Sequence, residues 1–476
     1  MTAIDPTDGA PRAEGGTPAV DPGCEGTVVR RAARLPRDVG VCGWNALLPP
    51  PPAPRVLEDD VTADWLVIGA GWAGLAAARR LSQLVGQDRI VVLEAGRLGE
   101  GPAGRNSGFM IDLPHKLQSG TYTGQADADR RQTRLNRAAI DFAAAAAEEY
   151  GLDEEAFARP GKVNAAATAR GMAHNEAYAR HLAALDEPHQ RLDAAAMRDL
   201  TGSSHYRGGL YTPGTALVQP AKFIREVAAG LAPRVTIYEQ TPAIEIARRA
   251  REWRVATPKG SVTAPRLIMA VNGHLESFGH MPRRLVHIHL YASMTRALTD
   301  REVRDIGGQR RWGLTPADPA GTTLRRIDGT GGARIAVRNS MTYDPELETT
   351  ADRTTRFGRR HDLSLAARFP ALAGIEMDYR WSGRLCLSLN DAPVFGEIED
   401  GVFSACVQNG LGTTKGTIAG KLAADLAAQG NDPLVADLLA EDRPTLLPPE
   451  PLATIGAVAT MLGASSIVYK TYTSLR

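Results

Sequence analysis

Gly69, Gly71 and Gly74 interrupt the stretch VIGAGWAGLAAARRL, and Glu94 closes the apolar run IVVLEAG about twenty residues further on. Glycine at these spacings does three different things. The first permits a tight strand-to-helix turn, the second lets backbone N–H groups approach a pyrophosphate, and the third lets the helix pack against its strand. The helix N-terminus then faces the anion with its partial positive charge. A carboxylate at the end of the next strand suits the hydroxyls of a ribose and argues against a 2′-phosphate. Trp72, Ala73 and Ala95 flank these positions and belong to the same expected dinucleotide site.

A second cluster follows at once. In EGPAGRNSGFMIDLPH, Gly101, Gly104 and Gly108, with Gly99 just before, surround Arg105, Asn106 and Ser107. Such a stretch is too rich in glycine for a stable helix and too interrupted for a central strand. A nicotinamide dinucleotide needs no second glycine loop here. Flavin adenine dinucleotide does, because its ring edge carries N–H and C=O groups to satisfy and its reduced form is negative near N1. The loop is expected to run beside the pyrophosphate and set Arg105 and Asn106 near the flavin. A third glycine turn, GLGTTKG, precedes TIAGKLAADL and offers another helix N-terminus that can stabilise a reduced flavin.

The elements that must position these residues can be read from periodicity. Residues 63–96 form a strand–turn–helix–strand unit. From 126 to 201 the pattern is helical and alanine-rich, with Asp193 and Gly202 as start and stop signals of its last helix. GGLYTPGTALVQPAKFIREVAAGL reads as helix, followed by a strand, an antiparallel ribbon and a buried strand from Leu267 to Val271. Short strands dominate 285–345. A helix over about 352–368 and a strand holding Tyr379 and Trp381 come next, before the final strand–turn–helix. The proline run near residue 50 favours an extended lead-in, pinned to the body by Trp44, Leu47 and Leu48.

Composition narrows the class. The 476-residue chain carries a net charge of +1, so nothing suggests a nucleic-acid surface. Cys24, Cys42, Cys386 and Cys406 have neither metal-ligand nor disulfide-scaffold spacing, which points to a reducing cytoplasm and no metal. The N-terminus is acidic and lacks the apolar core of a secretory signal. LATIGAVATMLGASSIVY, near the C-terminus, is diluted by Gly, Ser and Thr and reads as a packed terminal helix rather than an integral membrane span.

VIGAGWAGLAAARRL, LEAG, GPAGRNSGF and PVFG…NGLGTTKGTIAGKLAADL together resemble the D-amino-acid oxidase-like (glycine/sarcosine oxidase) FAD-dependent oxidoreductases over about 40–435. GRNSGFMIDLPH is most similar to gamma-glutamylputrescine oxidase-like members. The resemblance implies an α/β fold: a discontinuous Rossmann-type FAD-binding domain (61–118, 210–280 and 382–435) and an antiparallel-sheet α+β substrate domain (119–209 and 281–381). An extension, 1–60, would precede them and a tail, 436–476, would follow. It further implies that Gly69, Gly71, Gly74, Glu94 and Arg97 hold the adenosine diphosphate half of the FAD. Arg105, Asn106, Ser107 and Gly108 would line the flavin. The backbone of Ala243 would meet the adenine side, and Gly410, Gly412, Thr413, Thr414 and Lys415 the pyrimidine edge. The FAD is expected to be non-covalent, since the attachment position of some relatives falls nearer Gly383 than Cys386.

The expected chemistry is hydride transfer from the carbon beside an amine nitrogen to flavin N5, which requires no dedicated base. A substrate carboxylate would need an arginine's planar fork, and Arg325, Arg326 and Arg338 lie in one expected hairpin. His115 is a candidate for the flavin's substrate face, Lys415 for oxygen activation, and Tyr291 for the pocket wall, which Trp381 could share although core packing suits it better. The electron acceptor is oxygen or another oxidant. Two alternatives stay open: oxidation of a C–O bond in a 2-hydroxy acid, and a non-catalytic flavin-binding component of an assembly.

Overall fold

The computed structural model describes residues 28–114, 126–318, 321–457 and 459. WLVI and IVVL are buried along their whole length, as strands covered on both faces must be. They form the centre of a six-stranded sheet. Its order runs Val235–Tyr238, Ile90–Leu93, Trp65–Ile68, Arg266–Met269, Val402–Cys406, Val394–Glu399. All neighbours are parallel except the last pair. This is a Rossmann-type sheet with the helix Trp72–Leu84 following its first strand.

Helices Trp72–Leu84 and Gly412–Ala427 cross one face at very close range. A Cβ on Gly420 would lie 1.9 Å from Ala73 O, and one on Gly416 would meet the Trp72 side chain at 3.4 Å. The alanine run of helix Ala126–Glu149 joins the same core through Ala139, Ala143 and Ala146, whose small side chains permit tight approach. A five-stranded sheet covers the opposite face and contributes Ile246, Trp253, Val255 and Val262 to a second core.

An eight-stranded sheet forms the other half of the molecule. Its order is Met377–Leu387, Val286–Thr295, Gly332–Tyr343, Thr323–Gly329, Trp312–Pro316, Lys162–Ala166, Gly208–Thr212, Gln190–Asp193. Its neighbours are antiparallel, save the parallel pair Trp312–Pro316 and Lys162–Ala166. Helix Ala351–Arg368 lies beneath it, matching the expected boundaries closely. Asp193 caps helix Ala194–Thr201 by accepting from the Ala196 N–H, and Gly202 ends it with φ 80°.

Two stretches differ from expectation. Lys162–Ala166 is a strand inside the stretch read as helical. It is too short, and too buried on both faces, to show a period. The segment read as one helix from Gly208 is two strands, Gly208–Thr212 and Ala216–Val218, before helix Pro220–Leu231. The described part of the lead-in is pinned to the body by Trp44, Leu47 and Leu48, as expected. Val29–Arg31 adds an edge strand to the five-stranded sheet, and Trp44 is fully buried beside Met294 and Trp381. Residues 452–457 are helical. Most of the expected terminal helix, like residues 1–27, lies outside the described residues. No helix among the described residues is long and apolar enough to cross a membrane.

Candidate active site

A cleft of about 510 Å3 opens between the two large sheets. All three glycine turns reach it. Gly69 adopts φ 100°, and a Cβ there would stand 2.7 Å from Ala270 O, so the first turn tolerates no side chain. Gly74 faces its own strand, where a Cβ would come within 1.7 Å of Gly69 O; its role is packing, and it does not line the cleft. Gly71 begins the helix with only Ala103 Cβ nearby, leaving its N-terminus open to the cleft.

Glu94 lines the cleft and accepts from the Ala70 and Gly96 N–H groups, both at 2.9 Å. Burial pushes its pKa up, against the pull of those two donors. Two donors leave acceptor capacity on both oxygens for ribose hydroxyls. Ala95 and Ala243 line the same end. Arg97 lines it too, held by Glu239 at 3.0 Å. Trp72 and Ala73 reach the cleft, with Trp72 Nε1 donating to Ala103 O and its ring stacked on Phe223.

The second turn is the most heavily braced part of the site. Arg105 does not aim its guanidinium at a flavin. It donates instead to the carbonyls of Glu100, Val39, Ser382 and Gly40, tying the N-terminal segment, the loop and strand Met377–Leu387 together. Asn106 closes the turn on itself, donating to Ala103 O and accepting from the Gly108 N–H. Trp44 Nε1 donates to Asn106 O and Trp381 Nε1 to Arg105 O, so both indoles pack under the loop rather than wall the pocket. A Cβ on Gly108 would strike Val218 O at 2.2 Å.

At the third turn Gly410, Gly412 and Thr413 line the cleft, and a Cβ on Gly412 would meet nothing within 4 Å. Thr413 Oγ1 donates to Phe109 O, joining the second and third turns. The Thr414 side chain points inward, its hydroxyl buried without a hydrogen-bond partner among the described residues, and Lys415 does not line the cleft. His115 lies outside the described residues.

The substrate end is floored by the eight-stranded sheet through Leu290, Ala292, Thr315, Thr323 and Arg338. Register sorts the three candidate arginines. Thr323 and Arg338 are cross-strand partners and share the cleft face. Arg325, two residues from Thr323, shares that face but is roofed over by the second turn. It donates to the carbonyls of Ser107, Gly108 and Val218 and sits between the Trp44 and Phe109 rings. Arg326 points to the other face and donates to Gly307 O. Neither presents its fork to the cleft, whereas Arg338 does, donating to Thr323 Oγ1 at 2.8 Å and Ser107 Oγ at 3.4 Å. Tyr291 turns away from the cleft onto Phe357, and Cys386 is buried in the core while Gly383 lines the cleft.

One group was not anticipated. Asp38, His274 and Arg384 line the cleft in a chain, Arg384 donating to Asp38 Oδ2 at 2.9 Å and to His274 Nε2 at 2.7 Å. Burial and the adjacent Arg384 lower the His274 pKa to about 3, so it is neutral. Nothing local in the sequence marks these three, whose partnership is made by the fold alone.

Three open glycine turns, a helix N-terminus and a carboxylate at the ribose position fit an adenine dinucleotide with a second ring system beyond it. The family model described as FAD dependent oxidoreductase matches residues 64–426. The chain is 26% identical over 412 residues to a probable oxidoreductase OrdL of Rhizobium meliloti, covering 82% of this chain and 89% of that protein. It is 25% identical over 381 residues to the gamma-glutamylputrescine oxidoreductase of Escherichia coli, covering 78% and 84%. Among solved structures, glycine oxidase from Geobacillus kaustophilus superposes with a TM-score of 0.63 at 18% identity, covering 80% of this chain and 96% of that one. The chain belongs to the FAD dependent oxidoreductase family and is an FAD-dependent enzyme.

Proposed function

We propose that the protein oxidises the C–N bond of an amino acid, with the substrate carboxylate held by Arg338. The observation that carries this reading is an uncompensated cation. Burial pushes the Arg338 pKa down to about 10 with no acidic neighbour among the described residues to offset it, and its hydrogen bonds go to two neutral hydroxyls. A guanidinium remains charged at neutral pH, so it is best satisfied by an anion arriving from the cleft. The names of the relatives, which concern amines and amino acids, favour C–N over C–O oxidation.

When bound, the flavin supplies the two-electron acceptor for a hydride. The chain's own residues orient and dry the substrate. Arg338 fixes the carboxylate, with Thr323 and Ser107 holding its fork. Phe109, Ile111, Leu290 and Ala292 surround the substrate end with apolar atoms, which disfavours a charged ammonium and so promotes the neutral amine that hydride loss requires. Gly69, Gly71, Glu94 and Ala243 would hold the adenosine half of the FAD, and the turns at 105–108 and 410–413 would flank the flavin.

The test is anaerobic bleaching of the flavin with amino acids, with matched amines lacking the carboxylate, and with 2-hydroxy acids. Arg338→Met should keep its FAD and raise KM for carboxylate substrates about 100-fold, the ~3 kcal/mol of a lost charge-assisted pair. Equal bleaching by carboxylate-free amines, or an unaffected variant, would overturn the assignment.

A further inference from the structure

Beside the Thr315 edge of the substrate floor lies a second cation that the reaction described above does not use. Lys162 is 2% exposed, in a strand whose five residues are all buried. Among the described residues its ammonium donates to neutral oxygens: Asn164 Oδ1, and Thr315 Oγ1 at 3.3 Å. The acid that influences it, Asp112, accepts from Thr215 Oγ1 and faces Arg137 at 3.6 Å. A buried ammonium without a close counter-ion is costly to keep. Thr315 stands between it and the cleft, and Thr315 lines that cleft.

Register turns this cation into part of a row. Asn164 pairs with Thr315 across two strands, and Thr323 pairs with Arg338 across the next two. Leu314 pairs with Leu324, so the next position along sets Thr315 beside Thr323. The polar side chains Asn164, Thr315, Thr323 and Arg338 therefore cross four adjacent strands on one rung. Arg338 leans back over Thr323, which places its fork about one strand spacing, ~5 Å, from the Thr315 position.

We infer that Thr315, backed by Lys162, is a second anchor for the substrate, and that the substrate is an amino acid carrying a further carboxylate about three carbons from the first. The inference rests on the reading of Arg338 given above. Asn164 Oδ1 receives hydrogen bonds from both Lys162 and Thr315. Thr315 can rotate its hydroxyl towards a ligand oxygen without orphaning Asn164, while Lys162 continues to donate to Thr315 Oγ1 and polarises it. Two carboxylates separated by three methylenes span about 5 Å, which matches the two anchors.

Glutarate and valerate, unreactive five-carbon acids with two carboxylates and one, separate the anchors through their perturbation of the flavin absorbance of the FAD-loaded protein. Glutarate should bind at least tenfold more tightly than valerate. Thr315→Val, close to isosteric, should bring glutarate to the valerate level and leave valerate unchanged, with FAD content preserved and a lower melting temperature, since Lys162 loses its Thr315 contact. Thr315→Ser should retain the preference, and Lys162→Met should lose it. Equal binding of the two acids to the wild type, or a preference surviving in Thr315→Val, overturns the second anchor alone. If valerate binds but Arg338→Met leaves its affinity untouched, or if neither acid binds, the Arg338 assignment falls and this inference with it.

Discussion

The two ends of the cleft are built from different materials. The cofactor end is mostly backbone, brought so close that a single methyl group would collide with a carbonyl at Gly69, Gly74 or Gly108. The substrate end is made of side chains projecting from one rung of a sheet, and each is chosen by strand register rather than by its own backbone. The first kind of site tolerates almost no change in residue type. The second can be rewritten one side chain at a time, which suits a family whose members share a cofactor and differ in substrate.

This difference can be broken most sharply with two glycines three positions apart. Gly71→Glu should fold, since its Cβ would meet only Ala103 Cβ at 3.4 Å, but its carboxylate would face the pyrophosphate. The expected result is colourless protein with an unchanged circular dichroism spectrum; normal flavin content would refute the placement of the turn. Gly74→Ala should do the reverse, costing about 3 kcal/mol or more in folding stability through its clash with Gly69 O. Soluble, wild-type-stable Gly74→Ala protein would contradict the packing described.

Arg105 offers a smaller effect that distinguishes positioning from contact. Arg105→Ala removes donors to four carbonyls, two of them in the N-terminal segment, and should cost about 2 to 3 kcal/mol. FAD dissociation should accelerate in parallel, and Arg105→Lys should not restore it, because one ammonium cannot reproduce the fork. Rescue by lysine would mean that charge near the flavin, not the clamp, is what matters.

Acid should act on side chains and leave the glycine turns alone. Burial lowers the pKa of His205 and His361 to about 4 and that of His274 to about 3, from an unfolded value of 6.5. The unfolded chain binds more protons below pH 6.5, so stability is full above that pH and falls as pH drops towards the folded values. Each imidazole should cost about 1 kcal/mol between pH 6.5 and 5.5. A melting temperature that stays flat over that interval would show that these groups are not held neutral.

How far the sequence revealed the molecule follows the same division. Gly69 and Gly108 could be read from sequence because close backbone approach admits few residue types. Asp193 and Gly202 were visible as helix signals because capping is local. Arg325, Arg326 and Arg338 could not be told apart, since strand register and the roofing of Arg325 by the second turn decide which fork reaches the cleft. Thr315, Thr323 and Asp38 carried no signal at all. Their positions depend on neighbours far away in the chain, as does the strand Lys162–Ala166, whose buried neighbours hide its period.

The N-terminal segment has a consequence for how the protein is made. Arg30 meets Glu399 across 369 residues and Asp38 meets Arg384 across 346. One bank of the cleft thus leaves the ribosome some hundreds of residues before the strand that opposes it. The cleft therefore closes around a flavin only once both banks have emerged, so the onset of yellow colour marks the docking of the later strand rather than the folding of the earlier segment.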